Sequence, residues 1–334
     1  MKEKQLVART ASFLAASLLL CSWTETAGAA GPVAVAPGRT GTMAVGQPSS
    51  PISFSLEAGA GYLTGESKEL VYWPALGNYK ASELTWEIDN LFMVGIGAQM
   101  KVRDWMAVNF NGWFKAFDGE GTMDDYDWMS RGGDWTDWSH HENTDVTEGS
   151  ILDINVEFSF VRSDIFDLKA IAGYKRDNFG WEAYGGEYTY SENGFRDTTG
   201  TFPDGVAVIG YEQTFTSFYF GMGFAGKFNT FELNGRFIYA PLVQAEATDY
   251  HYLRDLVTYD EGEDGDMIAF DVSGSFFITP NFALELGYSY QKYDTLQGDS
   301  EWHYRNEGVV YYFADGAGMD QTSSLISLAL RYTF

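Results

Sequence analysis

The sequence predicts an all-β protein, a ten-stranded antiparallel transmembrane β-barrel with long extracellular loops and short periplasmic turns. Apolar and polar residues alternate with a period of two in segment after segment, which is typical of strands. Short and long connections alternate between these segments, and the chain closes on an alternating stretch, LISLALRYTF, that ends at Phe334. Aromatic residues cluster near the predicted strand ends, as the interfacial girdles of membrane barrels require.

The N-terminus carries a targeting segment. A basic start, a short apolar run and an Ala-Gly-Ala cleavage pattern predict a signal peptide over residues 1–29. Residues 30–52 are small and polar and predict a flexible linker. The single cysteine, Cys21, lies inside the signal peptide, so a disulfide framework and a cysteine-built metal site are excluded. The barrel domain is expected over 53–334.

The two faces of the predicted strands indicate whether the chain folds in water or in a membrane. In ILDINVEFSF, residues 151–160, every second residue is apolar, while Asp153, Asn155 and Glu157 lie between them. A soluble sandwich would turn such a polar face to water, whereas a membrane barrel turns it to the lumen. The predicted strands are 53–63, 84–102, 106–117, 151–162, 166–178, 210–226, 230–246, 266–278, 282–294 and 323–334. The short turns are predicted at 103–105, 162–164, 226–229 and 279–281, and the long loops at 64–83, 118–150, 179–209, 247–265 and 295–322.

The charge balance is strongly acidic, with a formal net charge of −26. This excludes a nucleic-acid partner, because binding to a phosphate backbone needs a basic face. The predicted loop 118–150 alone contains ten acidic residues and one basic residue, Arg131. A solvated loop, a funnel for cationic substrates and a divalent-cation site built from carboxylates are all compatible with this composition. No EF-hand spacing is present.

Two pairs of residues could carry chemistry. Asp125 and Asp127 are two apart, as are Asp249 and His251, so each pair points to one face if strand geometry persists. A carboxylate beside an imidazole raises its basicity, and two adjacent carboxylates tend to share a proton or hold a water. Neither pair is specific by itself. Together they would suit hydrolysis by an activated water, since the sequence has no G-x-S-x-G or H-E-x-x-H motif.

Several stretches resemble the omptin family of outer-membrane proteases, in the same order and over most of residues 53–334. The stretches are LTGESKELVY (63–72), DYDWM (125–129), WTD (135–137), GGEYTYSENGFRDTTGTFPDGVAVIGY (185–211), DYHY (249–252) and LRYTF (330–334). The resemblance implies a ten-stranded barrel in the bacterial outer membrane whose active site faces the cell exterior. It also implies an aspartyl endopeptidase that needs no metal and no cofactor.

By the same resemblance, the catalytic groups are the pair Asp125 and Asp127 and the couple Asp249 and His251. A water between His251 and the aspartate pair would attack the peptide carbonyl. His251 would accept its proton as general base, and Asp249 would orient and stabilise the imidazolium.

The resemblance further implies cleavage between basic residues, so basic peptides and proteins are the expected partners. Glu69 matches a family acid in the pocket for the residue before the cut, and Met123 and Ile209 match its apolar walls. Asp137 matches an acid on the other side of the bond. Ala247 departs from the pattern, because the family has a second pocket acid there. The loss of a charged hydrogen bond costs about 1.5–3 kcal/mol, so the preference for basic residues is expected to be relaxed, unless the adjacent Glu246 compensates.

A second departure concerns lipopolysaccharide, which activates family members through a basic cluster on the outer barrel wall. Tyr174 retains one position of that cluster, whereas Asn178 and Thr214 stand where the family has arginines. Arg176 or Lys175 could substitute. These changes argue against a dependence on lipopolysaccharide.

The leading hypothesis is a monomeric endopeptidase embedded in outer-membrane lipid that cleaves basic peptides at the cell surface. The alternative is a non-catalytic barrel that acts as an adhesin or binding protein, and it would predict the loss of a catalytic residue. A channel is disfavoured because side chains can fill so small a barrel. A lipid-modifying enzyme would require a couple such as Ser139 with His140. His140 and His303 are interpreted as ordinary loop residues.

Overall fold

A computed structural model of the chain describes residues 52–130 and 132–334. The predicted signal peptide and linker lie outside the described residues, apart from Ile52, which is the first residue of strand β1. Within the described part of the chain, no helix is long and apolar enough to cross a membrane. The regular structure there is almost entirely β-strand, with short 3-10 turns at Pro74–Leu76 and Tyr252–Arg254.

The described residues form a 13-stranded antiparallel sheet. The strands are β1 (Ile52–Trp73), β2 (Tyr79–Val102), β3 (Met106–Lys115), β4 (Gly119–Asp127), β5 (Asp137–Arg162), β6 (Phe166–Tyr184), β7 (Glu187–Tyr190), β8 (Thr198–Thr201), β9 (Ala207–Lys227), β10 (Phe231–His251), β11 (Leu256–Thr279), β12 (Phe282–Tyr304) and β13 (Val309–Thr333).

Backbone pairing closes this sheet into a ring of ten strand positions. The first and last strands, β1 and β13, pair from Ser55↔Thr333 to Val71↔Ala317. Strands β3 and β4 follow each other in one position of the wall, since both pair with β2 on one side and with β5 on the other. The small strands β7 and β8 extend from β5 as a side hairpin. The closed ring satisfies the backbone hydrogen bonds that lipid cannot satisfy.

The wall is apolar outside and polar inside in the half of the barrel near the short turns, which we call the lower half. On β9, Phe218, Phe220 and Met222 are 67%, 55% and 57% exposed, whereas Ser217 and Tyr219, which alternate with them, are buried. A soluble sandwich would bury the phenylalanines and expose the polar residues. The observed alternation is that of a membrane barrel whose apolar face meets lipid.

A charged network fills part of the lower lumen. The Arg236 guanidinium lies 2.8 Å from Asp153 Oδ2 and 2.6 Å from Asp271 Oδ2, so it bridges strands β5 and β11. The Tyr219 hydroxyl donates a 2.6 Å hydrogen bond to Asp153 Oδ1. Lys175, on β6, contacts Asp177 Oδ1 at 3.0 Å and is buried. Buried charges in this lumen are therefore paired with one another, which offsets part of their desolvation cost.

All four short turns lie where the sequence predicts them, but the predicted long loops are mostly strand. Strand β1 continues to Trp73, β10 to His251 and β12 to Tyr304. The lipid-facing band on β10 ends at Leu242, the last strongly exposed large apolar residue of that strand. Above the band the outer face meets water, so the apolar alternation that reveals a strand weakens while the backbone pairing continues. We call this part of the barrel the upper half.

Arg236→Met should destabilise the barrel, because it leaves the buried Asp153 and the half-buried Asp271 without the guanidinium that pairs with both. Removing one member of a buried ion pair costs roughly 3–5 kcal/mol. The measurement is equilibrium unfolding of the refolded barrel by denaturant. Lys292→Met, which breaks the exposed pair between Lys292 and Asp294, is the control and should change little. Equal stability of both variants would contradict this account of the lumen.

Candidate active site

The predicted catalytic residues lie in the upper half of the barrel, on strands that are separate in the wall. Asp125 and Asp127 are on β4, and Asp249 and His251 are at the end of β10. Asp127 and His251 interact electrostatically, as do Asp125 and Asp249. The two pairs therefore face one another across the lumen. The prediction that each pair shares one face is consistent with the strands on which they lie.

The pair on β10 is in contact. His251 Nε2 lies 2.7 Å from Asp249 Oδ2. Asp249 is 1% exposed, whereas the His251 side chain is 18% exposed and reaches the open end of the lumen. With Nε2 turned to the carboxylate, the imidazole has its other nitrogen, Nδ1, for a second partner.

The pair on β4 is half-buried. Ser82, on β2, donates a 3.2 Å hydrogen bond to Asp125 Oδ1. Burial raises the pKa of Asp125 well above its usual range, and the charge of Asp127 raises it further. Burial also raises the pKa of Asp127, while Ser82 and Arg254 oppose that rise. Two interacting carboxyls with raised pKa values favour a state in which they share one proton.

A third group of acids lies deeper in the lumen. Burial raises the pKa of Glu69 well above its usual range, with further contributions from Asp249, Asp260 and Asp125. Burial raises the pKa of Asp260, on β11, to about 7. Asp260 is a residue that the sequence analysis missed, because it falls in the predicted loop 247–265. The pairing of β10 with β11 identifies it, and that register is not readable from the sequence.

The structure also brings the other predicted substrate residues to this end of the lumen. Met123 and Ile209 are 1% and 3% exposed, and Ile209 pairs across the sheet with His251. Asp137 is the first residue of β5 and pairs across from Asp127. The Asp137 carboxylate accepts a 2.9 Å hydrogen bond from the backbone N–H of Ser191. Their roles in binding substrate stay predictions.

Glu246 and Lys175, which the sequence suggests as substitutes for a pocket acid and a lipid-binding cation, lie on the wrong side of the barrel wall for those roles. Glu246 is exposed on the outer face of β10, because it alternates with the buried Ala245 and Ala247. It cannot replace a pocket acid in the lumen. Lys175 points into the lumen, where it pairs with Asp177, and cannot contribute to a lipid site on the outer wall.

The remaining histidines have partners of their own. His140 Nδ1 lies 3.0 Å from Asp124 Oδ1. Ser139 Oγ contacts His141 Nε2 at 3.3 Å, so the contact needed for a Ser139–His140 couple is made with a different histidine. His141 Nδ1 lies 2.6 Å from the backbone oxygen of Gly185. Across residues 52–130 and 132–334, no three His, Cys, Asp or Glu side chains are arranged to hold a metal ion.

The upper lumen between these groups is packed with aromatic rings. Trp86 stacks on Tyr211, with ring centroids 5.5 Å apart and planes 9° apart, and also contacts Trp181 at 6.1 Å. The Gln213 side-chain amide donates a 3.4 Å hydrogen bond to the backbone oxygen of Lys68 on the far wall. These contacts, made by residues of β9, β2, β6 and β1, cross the lumen beside the candidate site.

A closed membrane barrel with aspartates and a histidine grouped in its upper half is consistent with one class of protein, the outer-membrane β-barrel proteases. The sequence model of the Omptin family matches residues 50–334. The chain is 33% identical to the plasminogen activator of Yersinia pestis over 287 residues, covering 85% of this chain and 91% of the relative. It is 31% identical to the outer membrane protease OmpP of Escherichia coli (strain K12), with the same coverage.

The crystal structure of the outer membrane protease OmpT from Escherichia coli superposes with a TM-score of 0.82 at 28% identity. That comparison covers 85% of this chain and 97% of the solved one. The chain belongs to the omptin family. It is therefore an outer-membrane protease, and the ten-stranded barrel predicted from the sequence is confirmed.

Glu69→Gln tests the electrostatic account of the acid group. The folded barrel binds the Glu69 proton more tightly than the unfolded chain, so the wild type loses stability as the pH rises through the raised pKa. The glutamine variant lacks this loss. We expect it to gain on the order of 1–3 kcal/mol at about pH 8 and little at about pH 4, measured by thermal unfolding at both pH values.

The control for this experiment is Glu66→Gln, on the outer face of the same strand, where the side chain is exposed. It should not change the dependence of stability on pH. A Glu69→Gln gain that is the same at both pH values would show that packing, and not charge, is responsible.

Proposed function

We propose that the protein is an endopeptidase that cleaves basic peptides and proteins at the cell surface with a water activated by an Asp–His couple and an aspartate pair. The observation that carries this proposal is the 2.7 Å contact between His251 Nε2 and Asp249 Oδ2, opposite Asp125 and Asp127. The omptin relatives support peptide hydrolysis, and the geometry supports this division of roles.

In the proposed reaction, a water lies between His251 Nδ1 and the aspartate pair. His251 accepts a proton from the water as the oxygen attacks the carbonyl carbon of the peptide. The buried Asp249 carboxylate stabilises the imidazolium that forms, as a carboxylate does when it is held in low dielectric. His251 then gives the proton to the departing amine when the C–N bond breaks. Asp125 and Asp127, sharing one proton, hold the water and exchange protons with it.

The preference for basic substrates rests on charge. The chain has a net charge of −26, and the site itself contains carboxyls from β1, β4, β5, β10 and β11. An acidic cleft raises the local concentration of cationic ligands and accelerates their association. Glu69 is proposed to contact the basic side chain before the cut, Met123 and Ile209 to pack against its aliphatic part, and Asp137 to attract a basic residue beyond the cut.

The proposed orientation puts the upper half at the cell exterior. The short turns of the lower half resemble those that barrels present to the periplasm, and the long hairpins those that they present outside. The signal peptide over 1–29 and the linker over 30–52 complete the proposed organisation. We propose a monomer with no cofactor and no metal.

The proposed activity does not depend on lipopolysaccharide. Asn178, on β6, donates hydrogen bonds of 2.9 Å to Glu212 Oε1 and 3.0 Å to Thr214 Oγ1 on β9. This part of the wall therefore offers a neutral amide and a carboxylate where a lipid phosphate would need cations. Arg176 is exposed two residues from Asn178 on the same face of β6 and is a single basic group.

Cleavage of a fluorogenic peptide that contains Arg-Arg tests the proposal directly. The detergent-refolded barrel should cleave it equally well with and without lipopolysaccharide. Asp125→Ala and His251→Ala should each reduce kcat by about 10²–10⁴-fold, the usual contribution of general acid–base groups. His303→Ala, at the upper end of β12, is the histidine control and should retain activity.

An intact, folded wild-type barrel that binds the peptide without cleaving it would favour the adhesin or binding-protein alternative. Activity that survives in His251→Ala would overturn the proposed base.

The rate should also depend on pH in a definite direction. A general base must be unprotonated to accept a proton, so the proposed mechanism requires kcat/KM to fall on acidification. The measurement is kcat/KM for the same peptide across the range from about pH 5 to about pH 8. A rate that is constant down to the acidic end would count against His251 as the base.

A further inference from the structure

We propose that Asp260 is a specificity-determining residue: together with Glu69 it forms a two-carboxylate pocket for an arginine side chain of the substrate. The inference rests on the proposed function for the cleavage itself. It concerns a residue on a different strand from Ala247, whose position lacks the acid expected from the family resemblance.

The backbone register puts Asp260 beside the missing acid. Ala247 on β10 pairs directly across from Asp260 on β11. Both side chains are on the inner face and nearly inaccessible, at 5% and 4% exposure. Alanine is short, so the carboxylate of its neighbour can occupy the part of the lumen that a longer side chain at 247 would fill. Adjacent strands are about 5 Å apart. A carboxylate at 260 is therefore only one strand away from the acid expected at 247, at the same height in the barrel.

Some oxygen atoms around this position lack donors, although the Asp260 carboxyl has a side-chain hydrogen bond with Ser300 and the Glu69 carboxyl has one with Asp249. Within the described part of the chain, Glu69 Oε2, Asp260 Oδ1 and Gln213 Oε1 are buried and accept no hydrogen bond. The Thr258 hydroxyl, two residues from Asp260, is also buried without a partner. A buried acceptor without a partner costs about 1–3 kcal/mol or more when charged, so such a group indicates a ligand that supplies donors.

Glu69 and Asp260 belong to one pocket. The two carboxyls interact electrostatically, and both interact with Asp249. Gln213, on β9, supplies a further acceptor. Its amide nitrogen donates a 3.0 Å hydrogen bond to the Tyr211 hydroxyl, so its amide oxygen points away from that hydroxyl. Tyr211 itself interacts with Glu69, Asp260 and Asp249.

A guanidinium fits these acceptors better than an ammonium. It carries five N–H donors in a rigid plane and no acceptor, so it can serve carboxylates and an amide oxygen on several sides at once. A lysine ammonium has three donors at one point. The described side chains form no cluster suited to a metal ion, which leaves an organic cation as the ligand. We therefore expect arginine to be preferred over lysine and strongly preferred over neutral residues.

The test compares peptides that differ only in arginine or citrulline before the cut, since citrulline has nearly the same shape and no charge. In wild type, Arg should exceed citrulline in kcat/KM. Asp260→Asn should reduce this ratio by roughly tenfold to a hundredfold, the loss expected for one charged hydrogen bond, and should leave cleavage of the citrulline peptide nearly unchanged. Ala247→Asp combined with Asp260→Asn should restore the ratio, because it returns the charge to the neighbouring strand.

A binding measurement separates this inference from the proposed catalysis. Dissociation constants for the same two peptides are measured on the full barrel carrying Asp125→Ala, with and without Asp260→Asn. Glu261→Gln, the exposed neighbour on the outer face of β11, is the matched control and should leave the preference unchanged.

A binding preference for the arginine peptide that is lost only in the Asp260→Asn variant supports the pocket. If the wild type shows this preference but does not cleave, the pocket stands and only the proposed protease mechanism fails. An arginine preference that is unchanged in Asp260→Asn overturns the inference, whether or not the barrel is active. If Asp260→Asn weakens the binding and cleavage of both peptides equally, and the double variant does not restore them, Asp260 has a structural role. That result would also overturn the inference.

Discussion

The structure depends on one constraint, that no backbone hydrogen-bonding group can remain unpaired in lipid. This requires the chain to close β1 against β13 and β3 against β5. Closure fixes the register of every strand relative to its neighbours, and register in turn fixes which side chains meet across the lumen. The acids of the site come from five different strands, so their convergence is a consequence of the ring. A slip of one residue in any of these strands would turn its acid outward.

The upper lumen carries carboxyls that the fold does not neutralise. In the lower half, Arg236 and Lys175 pair with the buried aspartates around them. In the upper half, Asp260 and Glu69 are buried and Asp125 is half-buried, each with like charges nearby, and their pKa values rise in consequence. Such an arrangement lowers stability and is retained only where the surrounding structure is strong enough to bear it. The closed sheet supplies that strength, so the protein can hold several acids close together in the upper lumen.

The alternation of residues was sufficient to predict the strands of the lower half and all four short turns, because lipid on one side and a polar lumen on the other impose a strict period of two. Above the lipid the same backbone ladder continues with water outside, and the period no longer reveals it. The predicted loop 247–265 is accordingly two paired strand ends joined by a short turn. For the same reason the inward position of Asp260 could not be read from the sequence. The outward direction of Glu246 could not be read either, because a register irregularity between Tyr239 and Leu242 reverses the alternation along β10. The four proposed catalytic residues were found through short local motifs and the family resemblance.

The relation between Ala247 and Asp260 shows why a comparison of single positions is a weak guide to specificity in a barrel. In a rigid antiparallel sheet, the residue directly across a strand pair is as close to a given point in the lumen as the residue two places along the same strand. A carboxylate can therefore move from one strand to its neighbour with little change in the field that a substrate meets. Sequence alignment records such a change as the loss of an acid at one place and an unrelated gain elsewhere. The proposed arginine pocket depends on the acids that face a common volume, and the strand register determines which acids those are.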